Sequence, residues 1–497
     1  MALGLTPYQI IEKGTHPQLV IADEWERVEL KKIASVQNGY AFSSKLFNRT
    51  EGMPLIRIRD IFSVETENFY LGEYNEDFVV NKGDIIIGMD GDFKVSKWPG
   101  NKGLLNQRVC RIHFNSAYYE KAFLFICIQP YLNAIHSETS AVTVKHLSSR
   151  TISDIPFPLP PLPIQRAIVA KIEELFSDLD KGIADLKKAQ DQLKIYRQAV
   201  LKKAFEGELT KEWRNSNTYT MQDFLQKLKL EKLKAIKEKL IPKGEYFPKY
   251  ESKDLTYNPP QNWITLPWKT LCANNKYAMK RGPFGSALKK EFFVEKGIVV
   301  YEQGHAINDE PYRHRYYITN EKFKELKAFE TKAGDMIISC SGVTLGRICL
   351  LPEDADIGVI NQALLKIDMD ESIMLKRYFI QLFRSGSFQR LIFQKSLGSA
   401  MPNMVGMAEL KEIPIPIPPI EEQHQILKEI ESRLSVCYKV EESITESLEK
   451  AKALRQSILK KAFEGTLLST AEIAKCKQAE DYEPASVLLA KIKKEKS

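Results

Sequence analysis

The residues best placed to do chemistry in this sequence are paired cations. In the run LIRIRDI from Leu55, Arg57 and Arg59 lie two apart. On a strand that spacing projects both arginines from one face, while Ile56 and Ile58 fill the other. Arg313 and Arg315, in the run YRHRYY, repeat the spacing among aromatic residues. A guanidinium grips phosphate and reads guanine through two parallel hydrogen bonds, so the pattern suits nucleic acid. Lys94, Lys97, Lys280, Arg281, Lys289 and Lys290 add positive charge on expected loops. The run SGVTLGR from Ser341 brings small residues that let backbone approach a groove, with Thr344 and Arg347 at its tip. Taken singly, each cation reads more readily as a solvated surface residue than as a contact. The expectation is a basic face on each domain.

Catalytic motifs are missing. SGVTLGR is one residue short between its glycines for a phosphate loop and lacks the lysine. No H-E-x-x-H or G-x-S-x-G occurs, and the seven histidines are scattered. Asn258-Pro259-Pro260-Gln261 resembles the Asn-Pro-Pro-aromatic tetrapeptide of adenine-N6 methyltransferases. Gln261 stands where the aromatic residue should stack a flipped base, and no glycine-rich strand-turn-helix is present for S-adenosylmethionine. The tetrapeptide reads as a Pro-rich lead into a second variable domain. No catalytic, cofactor or metal residue is assigned.

The chain has 497 residues, with 43% hydrophobic and 27% charged residues. That composition buries several cores and excludes fibrous and disordered classes. Lys plus Arg is 72 against 64 for Asp plus Glu, a net of +8 that permits nucleic-acid binding without requiring it. None of the seven cysteines forms a C-x-x-C pair, which argues against a disulfide framework or a zinc site. No apolar run approaches the ~20 residues of a bilayer span, and MALGLTPYQIIEKG has no signal-peptide pattern. A cytoplasmic protein with no membrane partner is expected.

An internal repeat organises these residues. IPFPLPPLPIQRAIVAKIEELF from Ile155 matches IPIPIPPIEEQHQILKEIESRL from Ile413, at a constant offset of 258 through to LKKAFEG in both copies. Counting residues 155–209 against 413–467, 22 of 55 are identical, which chance does not give. Fainter echoes flank the match. KGDIII from Lys82 parallels AGDMII from Ala333, Asn106-Gln107 parallels Asn361-Gln362, Trp25 parallels Trp263, and FLQKLKLEK from Phe224 parallels LLAKIKKEK from Leu488. Beyond each Pro-rich lead, apolar residues recur at heptad-like spacing, which predicts long helices over roughly 164–206 and 422–464, ended by Gly207 and Gly465. The duplication makes the pair an antiparallel coiled coil, each helix about 60–65 Å long at ~1.5 Å per residue.

The expected fold class is α+β: two pseudo-symmetric globular α+β domains joined by the two long helices. Its parts are an N-terminal segment 1–23, a first variable domain 24–154, a Pro-rich lead and helix 155–209, and a charged helical connector 210–261 that reads as solvated. A second variable domain 262–412, a second lead and helix 413–468, and a tail 469–497 complete the chain. Strand character appears in PLIRIRDI, KGDIIIGM and GDMIISC, and helical character in KAFLFICIQPYLNAI and LKRYFIQLF.

This arrangement resembles the DNA-specificity subunit of type I restriction-modification systems. The I-P-x-P-x-P-P lead followed by Gln165 or Gln423, and the R-Q-x-x-L-K-K-A-F-E-G ending, carry the resemblance over nearly the whole chain. It implies a non-catalytic subunit whose two target-recognition domains each read half of a split double-stranded DNA site, with the helices as a ruler between them. It also implies two methyltransferase subunits that bind S-adenosylmethionine and flip an adenine in each half-site, and two motor-nuclease subunits that use ATP and Mg. The helices are the implied docking surface for the methyltransferases, through Ile172, Leu179, Leu186, Leu193, Tyr196, Ile430, Ile444, Leu454 and Ile458. A fused restriction-methylation protein would need the missing motifs, and a coiled-coil scaffold would have no DNA role.

Overall fold

A computed structural model describes residues 5–139, 145–217, 220–251, 258–342, 344–393 and 403–495. The chain divides into two compact units, 1–187 with 445–497, and 188–444.

In the first unit the Pro-rich lead is a strand, Pro156–Leu159, paired antiparallel with Glu26–Glu29. Prolines cannot donate to a ladder, and a two-stranded ladder leaves each of them an outer edge. The main sheet has four antiparallel strands in the order Ala34–Asn38, Val109–Phe114, Ile85–Gly88, Val95–Lys97. A five-stranded sheet of short strands includes one parallel pair, Met53–Ile56 with Lys102–Leu105. The helix Lys121–Glu138 buries Phe123, Leu124, Cys127 and Ile128 in the core of this unit.

The second unit repeats the plan. Pro414–Ile417 pairs with Ile264–Pro267. The four-stranded sheet runs Met279–Arg281, Leu364–Ile367, Met336–Ser339, Ile348–Leu350. A second sheet again holds one parallel pair, Ile298–Tyr301 with Gly358–Ile360, and the helix Lys376–Arg384 buries Tyr378, Phe379, Leu382 and Phe383.

The repeated glutamine has a structural reason. Gln165 is fully buried, accepts the Glu120 N–H at 2.8 Å and donates to the Pro160 carbonyl at 2.8 Å. Gln423 does the same, accepting the Leu375 N–H at 2.8 Å and donating to the Ile373 and Pro418 carbonyls at 3.0 Å. Glu120 and Leu375 are the N-cap residues of the two domain helices, whose own side chains do not cap. Each glutamine thus ties a Pro-rich lead to the start of a helix whose first N–H groups would otherwise go unpaired.

The long helices run Leu162–Phe205 and Ile420–Phe463, 44 residues each. Within the first unit, Arg455 pairs with Asp180 at 2.8 Å and lies over the Phe176 ring. Within the second, Arg197 pairs with Glu441 at 2.6 Å and lies over the Tyr438 ring. Between the two contacts the position rises along one helix as it falls along the other, from Asp180 with Arg455 to Arg197 with Glu441, which makes the pairing antiparallel. The helices stop at Gly207 (φ 71°) and Gly465 (φ 72°), left-handed positions that also pack tightly, where a Cβ would collide with Pro260 and crowd Ala22 respectively. Asn258-Pro259-Pro260-Gln261 is therefore a packing lead onto a helix end.

The solvated reading of 210–261 is corrected. Leu228, Ala235, Ile241 and Tyr246 are buried, and Lys232 is buried with its ammonium donating to the Cys272 carbonyl at 2.9 Å and to Asn274 at 2.8 Å. The helix Gln222–Lys237 lays one face on the second unit. The tail helix Ala485–Glu495 buries Leu488 and Ile492 in the first unit. The faint echo between FLQKLKLEK and LLAKIKKEK is that shared packing. High Lys and Glu content hides it in the sequence, because the apolar face is only a few residues wide.

Candidate nucleic-acid interface

The two four-stranded sheets place their loops alike. In the first unit Gly88 N–H donates to the Lys94 carbonyl at 2.9 Å, closing the hairpin between Ile85–Gly88 and Val95–Lys97. In the second, Ser339 N–H donates to the Arg347 carbonyl at 2.9 Å, closing the equivalent hairpin. Lys94 and Arg347, both exposed, are structural counterparts at two hairpin tips. The Ser339 hydroxyl donates to the Thr344 carbonyl and accepts the Arg347 N–H, each at 2.9 Å, so Thr344 is held at the tip and exposed. Val343 lies outside the described residues.

Several assignments change. The strand Met53–Ile56 ends before the arginines; Arg57 is the N-cap of the short helical turn Ile58–Asp60, and Arg59 lies inside that turn. Buried Asp60 accepts the Arg57 N–H at 3.0 Å, which is what turns the chain. Desolvation holds the Asp60 carboxyl above its usual range, partly offset by that N–H. Lys97, Lys280 and Arg281 are on strands, not loops. Lys94 lies in a loop, and Lys289 is the N-cap of the helical turn Lys290–Phe292. Arg313 and Arg315 stand on a loop, yet both are exposed on either side of inward-facing His314.

Two clefts in the second unit gather these cations. Lys280 and Arg281, with Lys276 and Lys411, line a cleft of ≈ 780 Å³. Arg313 and Arg315 line a second, of ≈ 390 Å³, with Glu302 and His305. Arg281 donates to Asn403 at 3.0 Å, and Lys280 lies over the Phe329 ring at 5.3 Å. Arg313 pairs with Glu310 at 3.1 Å and Arg315 with Glu302 at 3.2 Å. Exposed pairs of this kind exchange readily for phosphate, since each is worth ~0–1 kcal/mol. His305 is buried, and burial lowers its pKa, so it stands neutral behind the cations. Among the described residues no group of three His, Cys, Asp or Glu could hold a metal, and all seven cysteines are free. No described helix is long and apolar enough to cross a membrane.

The chain matches the family model "Type I restriction modification DNA specificity domain" twice, over residues 22–188 and 285–450. It is 32% identical over 501 aligned residues to the EcoBI type I restriction enzyme specificity subunit of Escherichia coli, covering 100% of this chain and 98% of that one. This chain belongs to the type I restriction-modification DNA specificity family. The EcoDI specificity subunit of Escherichia coli is 23% identical over 83% of the chain and 84% of its own length. A solved chain from work on complex assembly and conformational transition of the type I R-M system has the same fold, with TM-score 0.61 and 17% identity, over 90% of this chain and all of that one. The protein is a DNA specificity subunit with two target-recognition domains, and such a subunit is non-catalytic.

In this specificity subunit the apolar helix positions divide. Ile172, Ile430, Ile444 and Ile458 are buried, so their side chains are closed to any partner. This corrects their assignment to a docking surface: an apolar stripe at heptad spacing packs within the chain. Leu179, Leu186 and Leu193 are half-buried, while Tyr196 and Leu454 are exposed. Periodicity does not single out exposed Ile195, Val436 and Tyr438, because they lie off the stripe; Val440 lies on it and is nonetheless exposed. The hairpin equivalence of Lys94 and Arg347 is also hidden in the sequence, since the two loops differ in length.

Proposed function

We propose that this subunit reads a bipartite double-stranded DNA target, one half-site per domain, and holds two methyltransferase subunits through the exposed faces of its long helices. The observation that carries this is repetition of the whole scaffold around loops that differ. Matching sheets, glutamine caps and helix stops recur in both units, whereas the hairpin tips carry MDGDFK in one and CSGVTLGR in the other. Shared scaffold with divergent tips is what two different half-sites require. In this reading Lys94, Lys97, Arg57 and Arg59 serve the first half-site, and Lys280, Arg281, Lys289, Arg313, Arg315, Thr344 and Arg347 the second.

The docking faces are Ile195, Tyr196, Val436, Tyr438 and Val440 in the second unit and Leu454 in the first, side chains that would otherwise leave apolar surface in water. Methyltransferase partners bring S-adenosylmethionine, two motor-nuclease partners bring ATP and Mg, and this chain holds no cofactor. The long helices set the spacer between half-sites, and the complex works in the cytoplasm. The test is to map methylated adenines in host DNA with and without this gene. Loss of a split methylated motif supports the reading, and an unchanged methylation pattern in a host with active partners contradicts it.

A further inference from the structure

Around one turn the two domains differ in nearly everything, yet the turn itself is the same. Asn106-Gln107 leads into the central strand Val109–Phe114, and Asn361-Gln362 into Leu364–Ile367. In both turns the asparagine carbonyl accepts the N–H three residues on, from Val109 at 2.8 Å and from Leu364 at 3.1 Å. Its side-chain oxygen accepts a second backbone N–H, from Gln107 at 2.7 Å and from Ala363 at 3.1 Å. In both, a glycine on the adjoining segment lies so close that a Cβ on Gly39 or Gly282 would strike the asparagine carbonyl. Both asparagine oxygens are taken by the turn, while the glutamine side chain is left over. Gln107 and Gln362 are exposed, and neither amide forms a side-chain hydrogen bond with a described residue.

In the second unit this turn is the ridge between the two basic clefts. Gln362 and Ala363 border the cleft of Lys280 and Arg281, and Asn361 and Ala363 border that of Arg313 and Arg315. A duplex whose phosphates rest in both clefts turns its base edges toward the ridge. Beside Gln362 stands Phe284, 90% exposed, and a Cβ on neighbouring Gly285 would lie 3.0 Å from Gln362 Oε1. Next to Gly39 in the first unit stands Tyr40, 53% exposed.

We propose that Gln107 and Gln362 are base-reading residues, each addressing an adenine in its own half-site. A primary amide presents an acceptor beside a donor. Adenine offers the matching N6 donor and N7 acceptor in the major groove, whereas guanine offers two acceptors there, cytosine a donor and thymine an acceptor. Because the turn is common to both domains, the half-sites share this base and differ around it. The proposal rests on the DNA-reading function.

The experiment uses the complex assembled with its methyltransferase subunits and duplexes bearing the target taken from its own methylation pattern, with each base pair of each half-site replaced in turn. Gln362→Ala should weaken binding to the intact target by roughly 10–100-fold and stop discriminating at one A·T pair of the second half-site. Gln107→Ala should do the same in the first half-site only. Gln362→Glu keeps the shape but loses the donor, and should shift preference at that pair toward cytosine. 7-Deazaadenine at the pair should weaken wild-type binding and leave Gln362→Ala unaffected. Equal weakening on all sequences, relaxation at a G·C pair, or unchanged discrimination would each overturn the proposal. A wild-type complex with no sequence preference would instead remove the DNA-reading function and this proposal with it.

Discussion

Arg111 Nη1 stands 3.3 Å from Asp84 Oδ2 beneath the main sheet of the first domain. The same guanidinium donates to the Val79 and Asp77 carbonyls and to Gln37. In the second domain Lys366 takes the place of Arg111, donating to the Glu330 carbonyl at 2.6 Å, with Asp335 in the place of Asp84. The Asp of the repeated run thus faces a cation of the central strand at the base of the hairpin carrying Lys94 or Arg347, in ionic contact in the first domain and at longer range in the second. Arg111→Ala should cost roughly 1–3 kcal/mol, because it leaves the Val79 and Asp77 carbonyls without this donor. Urea unfolding of the full chain checks this, and an unchanged midpoint would show that the contact is dispensable.

The second copy titrates in an accessible range. Desolvation pushes the Asp335 carboxyl up to about 6, from its ordinary 3.8, against the pull of Lys366. Asp335 is 1% exposed, and its Oδ1 has no hydrogen-bond partner. A carboxyl raised on folding contributes stability that is complete below about pH 4 and lost as pH rises through 6. The difference between wild type and Asp335→Asn should therefore move against the wild type by roughly 2–3 kcal/mol from pH 4 to pH 7. Thermal unfolding of both chains across that range measures it, and parallel curves would contradict it.

Much of the fold is legible in the sequence, for reasons tied to particular residues. The lead-helix-stop repeat forces the same local structure twice, because prolines, Gln165 and Gln423, and Gly207 and Gly465 each have one structural use here. Heptad spacing finds the long helices to within two residues of Leu162 and Ile420. It does not separate residues packed inside from residues facing out, since Ile172 and Leu454 share a pattern and differ in neighbours. Alternation of β-branched residues puts Arg57 and Arg59 on a strand because it ignores Asp60, whose carboxylate bends the chain.

The glutamine caps give a local prediction. Gln423→Ala leaves the Leu375 N–H and the Ile373 and Pro418 carbonyls unpaired, a cost of roughly 1–3 kcal/mol. Hydrogen exchange should accelerate in the first turn of Lys376–Arg384 and not in Lys121–Glu138. Gln165→Ala should show the reverse pattern. Equal acceleration in both helices would mean that the caps do not act locally.

Binding of the assembled complex to its target should fall steeply with salt. If Arg313 and Arg315 grip phosphate, each alanine variant lowers the salt slope by about one unit and weakens all sequences alike. If either reads a base, its loss relaxes one position at a cost of roughly 1–3 kcal/mol. Titrations at several salt concentrations on target and scrambled duplexes separate the two. Two variants indistinguishable from wild type would exclude this cleft from the interface.

The central claim is that each domain reads its own half-site. The most direct measurement exchanges residues 24–154 for the corresponding domain of a relative with a different target, then maps methylated adenines after assembly with the methyltransferase subunits. The expected result is a new first half-site joined to an unchanged second half-site at the same spacing. Alteration of both half-sites, or of neither in an active complex, would contradict it.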